Sequence, residues 1–263
     1  MSDQAVQGLA VDGLTVRFGG LVAVSDVTLS APRGQVTGLI GPNGAGKSTT
    51  FNACSGLLKP TEGRVLLDGD DVTSATPSAR ARRGLGRTFQ KMELFESLSV
   101  RENVRMGREA SMAGTRVTRH LLASRSERAE ADVRADAAIE VCGLTALAKR
   151  LPSELSTGQR RLIELARVLA GDFSVLLLDE PSSGLDKAET YRFGTILREL
   201  VRDRGVGILV VEHDMALVLR ICDDVHVLDF GKQIFQGTPA ELAESPVVRA
   251  AYLGSEDLEE QPA

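Results

Sequence analysis

The sequence contains few of the residues that hold small secreted domains together. Only three of its 263 residues are cysteine, at positions 54, 142 and 222, and no Cys-x-x-Cys pair occurs. An odd number of widely separated cysteines argues against a disulfide scaffold and against a zinc ribbon. Tryptophan is absent and aromatic residues make up 4% of the chain, so a surface that stacks on many nucleic-acid bases is not expected.

An excess of positive charge is also absent. The chain has 31 Lys and Arg against 36 Asp and Glu, which gives a net charge of −5 and a pI of about 5.4. This balance disfavours a broad electrostatic contact with a nucleic-acid backbone, and we expect no nucleic-acid partner. The apolar fraction of 43% and the charged fraction of 25% are typical of a folded globular chain.

Long apolar runs are missing as well. The longest, at residues 175–178 and 206–211, are far shorter than the roughly 20 residues of a transmembrane helix. Residues 1–13 carry Asp3 and Asp12 without a cationic start and an apolar stretch, so they are not expected to be a signal peptide. We therefore expect any membrane role to be peripheral and to pass through a partner.

The residues that are present alternate in a pattern typical of an α/β protein. Residues 13–18 and 22–29 predict antiparallel strands, and residues 35–40 predict a short buried strand. Farther along, buried strands at 175–178, 207–211 and 224–228 alternate with helices at 158–170, 189–203 and 216–222. This alternation indicates a parallel sheet with crossover helices.

The segment between these two regions has a helical character. Ser99 and Glu102 form a possible capping box, and apolar residues at four-residue spacing precede Gly143, which predicts a helix end there. Residues 116–134 carry many charges of both signs, so they predict either a solvated helix face or an exposed segment that contacts a partner.

A glycine-rich segment directly follows the predicted strand at 35–40. Residues 41–48, called the phosphate loop below, match the pattern G-x-x-x-x-G-K-[ST] between a strand and a helix. The glycines let backbone amides turn towards phosphate oxygens, Lys47 can reach the β and γ phosphates, and the Ser48 hydroxyl is a ligand for Mg²⁺. The predicted nucleotide-binding residues are Gly41, Pro42, Asn43, Gly44, Ala45, Gly46, Lys47, Ser48 and Thr49.

A second candidate element is the apolar strand at 175–178, which is followed by Asp179 and Glu180. Side chains alternate along a strand, so the two adjacent carboxylates cannot have the same role. We expect Asp179 to face the nucleotide and hold Mg²⁺ through its hydration shell. We expect Glu180 to accept a proton from an attacking water. With the phosphate loop, these residues predict a P-loop nucleotide hydrolase.

The segment that narrows this class is Leu-Ser-Thr-Gly-Gln at residues 155–159. Here the chain resembles the ATP-binding subunits of ATP-binding cassette (ABC) transporters, whose signature is Leu-Ser-Gly-Gly-Gln. It has threonine at the third position and keeps the serine and the second glycine, which in the family contact the ATP held by the other subunit. A serine before a helix is also an ordinary N-cap, and that reading stays open. The predicted signature residues are Leu155, Ser156, Thr157, Gly158 and Gln159.

Four further residues occur in the order that the family has them. Phe18 resembles the aromatic that stacks on adenine, although a core phenylalanine would look the same. Gln90 resembles the Q-loop glutamine that senses Mg²⁺ and the γ phosphate, and is a predicted metal and catalytic residue. Asp186 resembles the D-loop aspartate at the dimer interface, or it could cap the next helix. His213 resembles the switch histidine that contacts the γ phosphate and the attacking water, or it is structural.

The resemblance implies a specific architecture. It is a P-loop ABC ATPase core with an antiparallel β subdomain and an inserted helical signature subdomain. We expect one ABC ATPase domain at residues 1–253, with the core at about 8–90 and 158–253, the helical subdomain at about 91–157 and an acidic tail at 254–263. Two subunits, identical or paralogous, would bind ATP and Mg²⁺ between them at the cytoplasmic face of the membrane.

Within the family, the segments around Gln90, Ser99 and Glu212 are similar to the ATPase subunits of branched-chain amino-acid importers. This resemblance implies integral membrane permease subunits as partners and, indirectly, a periplasmic or extracellular binding protein. Alternative functions are the ATPase of a urea or amide importer or of a lipopolysaccharide exporter. A soluble ABC ATPase outside transport is a further alternative, although such proteins usually carry two cassettes or a long coiled coil.

Overall fold

The computed structural model describes residues 7–88, 94–112 and 125–259. The strands are β1 (Gly8–Phe18), β2 (Leu21–Pro32), β3 (Val36–Ile40), β4 (Glu62–Leu67), β5 (Asp70–Asp71), β6 (Leu85–Arg87), β7 (Val175–Asp179), β8 (Gly207–Val211), β9 (Asp224–Asp229) and β10 (Lys232–Gly237). The α-helices are α1 (Lys47–Ser55), α2 (Pro77–Arg82), α3 (Val100–Met112), α4 (Arg125–Val141), α5 (Thr157–Leu169), α6 (Lys187–Arg204), α7 (Met215–Ile221), α8 (Pro239–Glu244) and α9 (Pro246–Glu259).

Two sheets organise the nucleotide-binding core. A four-stranded antiparallel sheet has the order β2-β1-β4-β5, and a six-stranded sheet has the order β10-β9-β3-β8-β7-β6. Strands β9, β3, β8, β7 and β6 pair in parallel, and β10 joins the edge antiparallel to β9. The predicted α/β fold with an antiparallel β subdomain is confirmed.

The core lies on both faces of the six-stranded sheet. Every residue of β3, β7 and β8 is buried, as expected for parallel strands covered on both sides. One apolar cluster, which contains Leu39, Phe51 and Leu177, fills the space towards the antiparallel sheet. The other, which contains Ile40, Leu165 and Leu197, packs towards the helices.

A helical layer is formed by α3, α4 and α5, which contact one another. Ser99 and Glu102 form the predicted capping box at the start of α3, where the Ser99 N–H donates to Glu102 Oε2 at 2.8 Å. Gly143 has a φ of +66° beyond the end of α4, as the sequence predicts. The division at residues 91–157 is not tested by the architecture and stays a prediction.

Helices α3 and α5 touch through their backbones. A Cβ atom built at Gly107 would lie 1.8 Å from the carbonyl oxygen of Arg167, so only glycine fits at this crossing. The loop at residues 94–99 is fixed from the same side, because the buried Asn103 amide nitrogen lies 3.0 Å from the carbonyl oxygens of Phe95, Leu98 and Ser99, which share its two N–H donors. Arg160 in the first turn of α5 forms an ion pair with Glu96 of this loop.

The C-terminal part of the described chain is helical. Residues 254–259, which belong to the predicted acidic tail, continue α9 to Glu259. None of the helices in the described ranges combines the length and the hydropathy needed to cross a bilayer.

Candidate active site

The phosphate loop connects the buried strand β3 to α1. Three of its glycines have positive φ, at +148° for Gly41, +79° for Gly44 and +96° for Gly46. Gly46 is the N-cap of α1, and no side chain caps the helix there. The first amides of a helix lack intrahelical acceptors, so they remain available to an anion at this end.

Lys47 is held against the loop that precedes it. Its ammonium donates to the carbonyl oxygens of Gly41 at 2.7 Å and of Pro42 at 2.9 Å. Burial lowers the pKa of Lys47, and the nearby carboxylates of Glu180 and Asp179 oppose this shift. The lysine charge is therefore held between the phosphate loop and the two carboxylates.

A cavity of about 450 Å³ opens over the loop, a volume in the range of small-ligand pockets. Eight predicted site residues line it, namely Asn43, Gly44, Ala45, Gly46, Lys47, Ser48, Thr49 and Glu180. The sequence did not predict the other lining residues, which are Leu21, Val22, Ala23 and Phe230. One end of the cavity is therefore cationic and polar, and another part is apolar.

The two adjacent carboxylates have different environments. Asp179 is buried at the end of β7 with its Oδ2 3.6 Å from the Arg87 guanidinium. Burial raises the pKa of Asp179, and Arg87 opposes this shift. Glu180 has a left-handed φ of +45°, and its N–H donates to the Val211 carbonyl at 2.9 Å. This outlying conformation is of the kind found at functional sites, and Glu180, unlike Asp179, lines the cavity.

Arg87, which the sequence did not predict as a site residue, connects three parts of the site. Its guanidinium lies 4.7 Å from the centre of the Phe51 ring. It also donates to Asn52 Oδ1 at 2.9 Å and to Ser55 Oγ at 2.6 Å. These contacts fix α1 relative to the end of β6 and to Asp179.

Ser156 and Asp186 both cap helices. Ser156 Oγ accepts from the Gln159 N–H at 3.2 Å, and the Ser156 N–H donates to Gln159 Oε1 at 3.1 Å. Asp186 Oδ1 accepts from the N–H groups of Ala188 and Glu189, each at 2.8 Å. The capping readings that the sequence left open therefore hold in the structure. None of the residues at 155–159, and neither Asp186 nor His213, lines the cavity of the same chain.

Glu189 joins the signature segment to the D-loop segment, a link that the sequence did not predict. Its Oε1 accepts from Ser156 Oγ at 3.4 Å, and its Oε2 accepts from the Asp186 N–H at 3.1 Å. A Cβ atom at Gly158 would lie 2.2 Å from Glu189 Oε1. The starts of α5 and α6 are thus held together by one carboxylate.

Glu212 makes a similar link beside the predicted switch histidine. It is fully buried, and its carboxylate accepts from the N–H of Ser182 at 2.9 Å and of His213 at 3.2 Å. Burial raises the pKa of Glu212, and the hydrogen bond from Ser182 opposes the shift. The segment after β7 is thereby fixed to the segment after β8, while His213 itself is exposed.

The C-terminal helix α9 also reaches the phosphate loop. Burial raises the pKa of Tyr252, and a backbone hydrogen bond from Gly41 opposes that shift. No local sequence pattern relates these two positions.

Three of the predicted nucleotide-binding residues, Gly41, Pro42 and Phe18, do not line the cavity. Phe18 is 52% exposed at the end of β1 and lies outside the lining. Gln90 lies outside the described residues, so its predicted role stays a prediction.

Comparison with protein-family models gives two matches. Residues 24–183, more than half of the chain, match the model described as "ABC transporter". Residues 232–257, which include β10 and most of α9, match the model "Branched-chain amino acid ATP-binding cassette transporter".

Curated relatives match over nearly the full length. The chain is 37% identical over 248 residues to the high-affinity branched-chain amino acid transport ATP-binding protein BraF of Pseudomonas aeruginosa, covering 94% of this chain and 97% of that protein. It is 38% identical over 248 residues to the corresponding protein LivG of Escherichia coli, with the same two coverages.

Solved structures share the fold. The ADP conformation of MJ1267, an ATP-binding cassette of an ABC transporter, has a TM-score of 0.83 at 30% identity and covers 95% of this chain and 99% of that chain. The dimeric structure of MJ0796, a bacterial ABC transporter cassette, has a TM-score of 0.73 at 26% identity, with coverages of 88% and 98%.

Proposed function

Since this chain belongs to the ABC transporter family as one of its ATP-hydrolysing subunits, we propose that it energises a permease that imports branched-chain or other hydrophobic amino acids. The match of residues 232–257 to the branched-chain family model supports this substrate class over the urea, amide and lipopolysaccharide alternatives. The names of BraF and LivG support it as well.

The observation that carries the proposed chemistry is the cavity that brings Lys47, Ser48 and Glu180 together. Lys47 and the first amides of α1 bind the phosphates of ATP. Glu180 is the general base, because its carboxylate faces the same cavity and can accept the proton of a water that attacks the γ phosphate. Gln90 and His213 complete the proposed catalytic set by contacting the γ phosphate and that water.

The residues present also fit Mg²⁺, a hard cation that prefers oxygen ligands. The Ser48 hydroxyl would bind the ion directly, and Asp179 would bind it through water, with Gln90 as a further ligand. Mg²⁺ is usually bound by one or two protein oxygens together with substrate phosphates. When bound, Mg²⁺ offsets negative charge on the phosphates.

We further propose that two subunits, identical or paralogous, pair head to tail. Ser156 and Gly158 lie outside the cavity of their own chain, which leaves them available to the ATP held by a partner. The dimeric cassette MJ0796 supports this arrangement. Phe18, which pairs with the cavity-lining Leu21 between β1 and β2, remains the proposed adenine-stacking aromatic.

The permease partner determines the proposed location. The ATPase would sit at the cytoplasmic face of the membrane, bound to integral permease subunits and linked through them to a substrate-binding protein. The segment from residue 90 to about residue 134 is the proposed docking region, since its loop at 94–99 exposes Phe95 and is fixed to α5 by the ion pair of Glu96 with Arg160.

Reconstitution tests the proposal. The chain is combined in proteoliposomes with the permease that co-purifies from membranes, and uptake of labelled leucine, isoleucine and valine is followed. We expect uptake that depends on ATP and is lost in Lys47→Ala, while Lys59→Ala, a change of an exposed lysine, leaves it intact. ATP-dependent uptake of another solute, with none of these three, would reject the substrate class.

A further inference from the structure

The turn between β9 and β10 contains Phe230, whose backbone conformation is unfavourable for a phenylalanine. Asp229 pairs with Lys232, so Phe230 and Gly231 form a two-residue hairpin connection. Their φ values are +42° and +77°. Two positive φ values are characteristic of a type I′ turn, in which asparagine, aspartate or glycine is favoured at the first position. A bulky side chain with positive φ is an outlier.

Packing does not explain the phenylalanine either. The Phe230 side chain is 83% exposed, more than any other large apolar side chain in the described residues. An exposed position gives almost none of the stabilisation that burial of an aromatic ring provides. A residue that disfavours its turn and contributes nothing to the core indicates a functional site.

The turn is fixed rigidly beside the phosphate loop. The Gly231 N–H donates to the Ala45 carbonyl at 3.1 Å, and the Gly231 carbonyl accepts from the Ser25 N–H at 2.8 Å. A Cβ atom at Gly231 would lie 2.6 Å from the Ala23 carbonyl oxygen. These contacts fix the backbone of the turn that carries Phe230 beside the phosphate loop.

Phe230 lines the cavity together with Leu21 and Val22. These three side chains form its apolar part, whereas Lys47, Ser48 and Glu180 form its charged and polar part. A nucleoside triphosphate matches these two parts of the cavity. Its anionic phosphates suit the charged and polar part, and its planar base, which is apolar on both faces, suits the apolar part. Phosphates at Lys47 direct the base towards the apolar side chains.

We propose that Phe230, in addition to Phe18, stacks on the base of the bound nucleotide and that it forms, with Leu21 and Val22, an apolar wall against the base. The inference rests on the proposed function, since it takes the phosphate loop as the site of the triphosphate. Aromatic rings stack on any base face, so Phe230 adds affinity for purine nucleotides without choosing between adenine and guanine.

The test compares ATP with inorganic tripolyphosphate, which lacks the base. The Phe230→Asn variant of the full chain removes the ring and gives the type I′ turn a favoured residue. We expect the affinity for MgATP to fall by about 5- to 150-fold, the range of one base–aromatic stack, with the affinity for Mg-tripolyphosphate unchanged. We also expect the midpoint of thermal unfolding to rise by about 2 °C or more, because the backbone strain is relieved.

Two further variants sharpen the comparison. Phe230→Tyr keeps a stacking ring and should keep the parental affinity for ATP. Tyr191→Asn removes an exposed aromatic of α6 that lies outside the cavity, and it should leave both affinities unchanged.

Three results would overturn the inference. They are an unchanged ATP affinity in Phe230→Asn, an equal loss of affinity for both probes, and a loss of subunit pairing with intact ATP affinity. The second would indicate a distorted phosphate loop, and the third a contact with the partner. A parental chain that binds neither probe would instead overturn the proposed function.

Discussion

At the scale of single residues, the neighbouring carboxylates of Asp179 and Glu180 lie in different environments. Glu180 follows the last residue of β7 with a left-handed φ and lines the cavity, while Asp179 stays buried against Arg87. The Glu180→Gln exchange keeps the size of the side chain and removes the proton acceptor. We expect ATP turnover to fall by about 10²-fold or more with ATP binding retained.

Steady-state hydrolysis and equilibrium ATP titration of the assembled complex measure both effects. Glu199→Gln, on the exposed side of α6, is the matched control and should behave like the parental protein. Parental turnover in Glu180→Gln would assign the base to another group.

The three thiols give a second prediction for individual side chains. Burial raises the pKa of Cys54, Cys142 and Cys222 to about 12. Since the thiolate is the reactive form, we expect no alkylation of the folded protein at pH 8 and three modified cysteines after unfolding in denaturant. An introduced Tyr191→Cys, at an exposed position, should be modified in the folded protein.

The same shifts make stability depend on alkaline pH. The folded state favours the protonated thiols, so their contribution is fully present below the usual thiol pKa of about 9 and is lost as the pH rises towards 12. Denaturant titrations at pH 8 and pH 10.5 should show lower stability at pH 10.5. Replacing the three cysteines with alanine or serine should reduce this difference.

At the scale of helices and strands, the Glu189 carboxylate connects the starts of α5 and α6 by accepting hydrogen bonds from Ser156 and Asp186. Glu189→Gln keeps the shape but removes the charge that strengthens these hydrogen bonds. We expect the weaker hydrogen bonds to reduce the free energy that holds Ser156 in position by about 1 kcal/mol. If this whole amount is lost from the transition state, turnover falls by about five-fold. ATP affinity of the isolated subunit should not change, because none of these residues lines its cavity. Equal losses of turnover and of affinity would show that the link serves the subunit's own site.

The sequence predicted these elements well, because their signals are local. Strand β3, the phosphate loop and α1 follow from a short run of residues, and the caps at Ser99 and Gly143 follow from neighbours within four positions. The cross-links between elements were not predictable in this way. Arg87 with Asn52 and Glu189 with Ser156 join positions more than 30 residues apart, and their geometry arises only after folding.

Phe230 illustrates the opposite case, in which a local signal was present and was not used. The segment Asp-Phe-Gly-Lys at 229–232 connects two strands and carries a glycine at the second turn position. Its first turn position requires positive φ, so a phenylalanine there was visible as an exception in the sequence. Only the structure relates it to the phosphate loop.

At the scale of the whole molecule, the proposed composite site predicts how subunits associate. Glu180→Gln should accumulate an ATP-bound pair, because nucleotide that binds only the paired form stabilises it by mass action. Ser156→Arg puts a bulky side chain where the partner's phosphate would lie, so the double variant should remain a single subunit. Size-exclusion chromatography with ATP and Mg²⁺ distinguishes the two.

The in-trans role of Ser156 would be refuted if the double variant paired as well as Glu180→Gln alone. Lys59→Arg combined with Glu180→Gln is the control for an added arginine at an exposed position. If the natural partner is a paralogous ATPase, the same comparison is made with both subunits mixed.

The contact between Gly107 and Arg167 has a mechanical consequence. It pins the far end of α5 against α3, while the pair formed by Arg160 and Glu96 ties the near end to the loop that exposes Phe95. If α5 rotates as a rigid helix about its contact at Arg167, the centre of rotation lies about 16 Å from Ser156, at 1.5 Å of rise per residue. A tilt of about ten degrees about this centre moves Ser156 by about 3 Å, the length of one hydrogen bond. A displacement of this size is enough to make or break the contact that we propose between Ser156 and the ATP of a partner subunit.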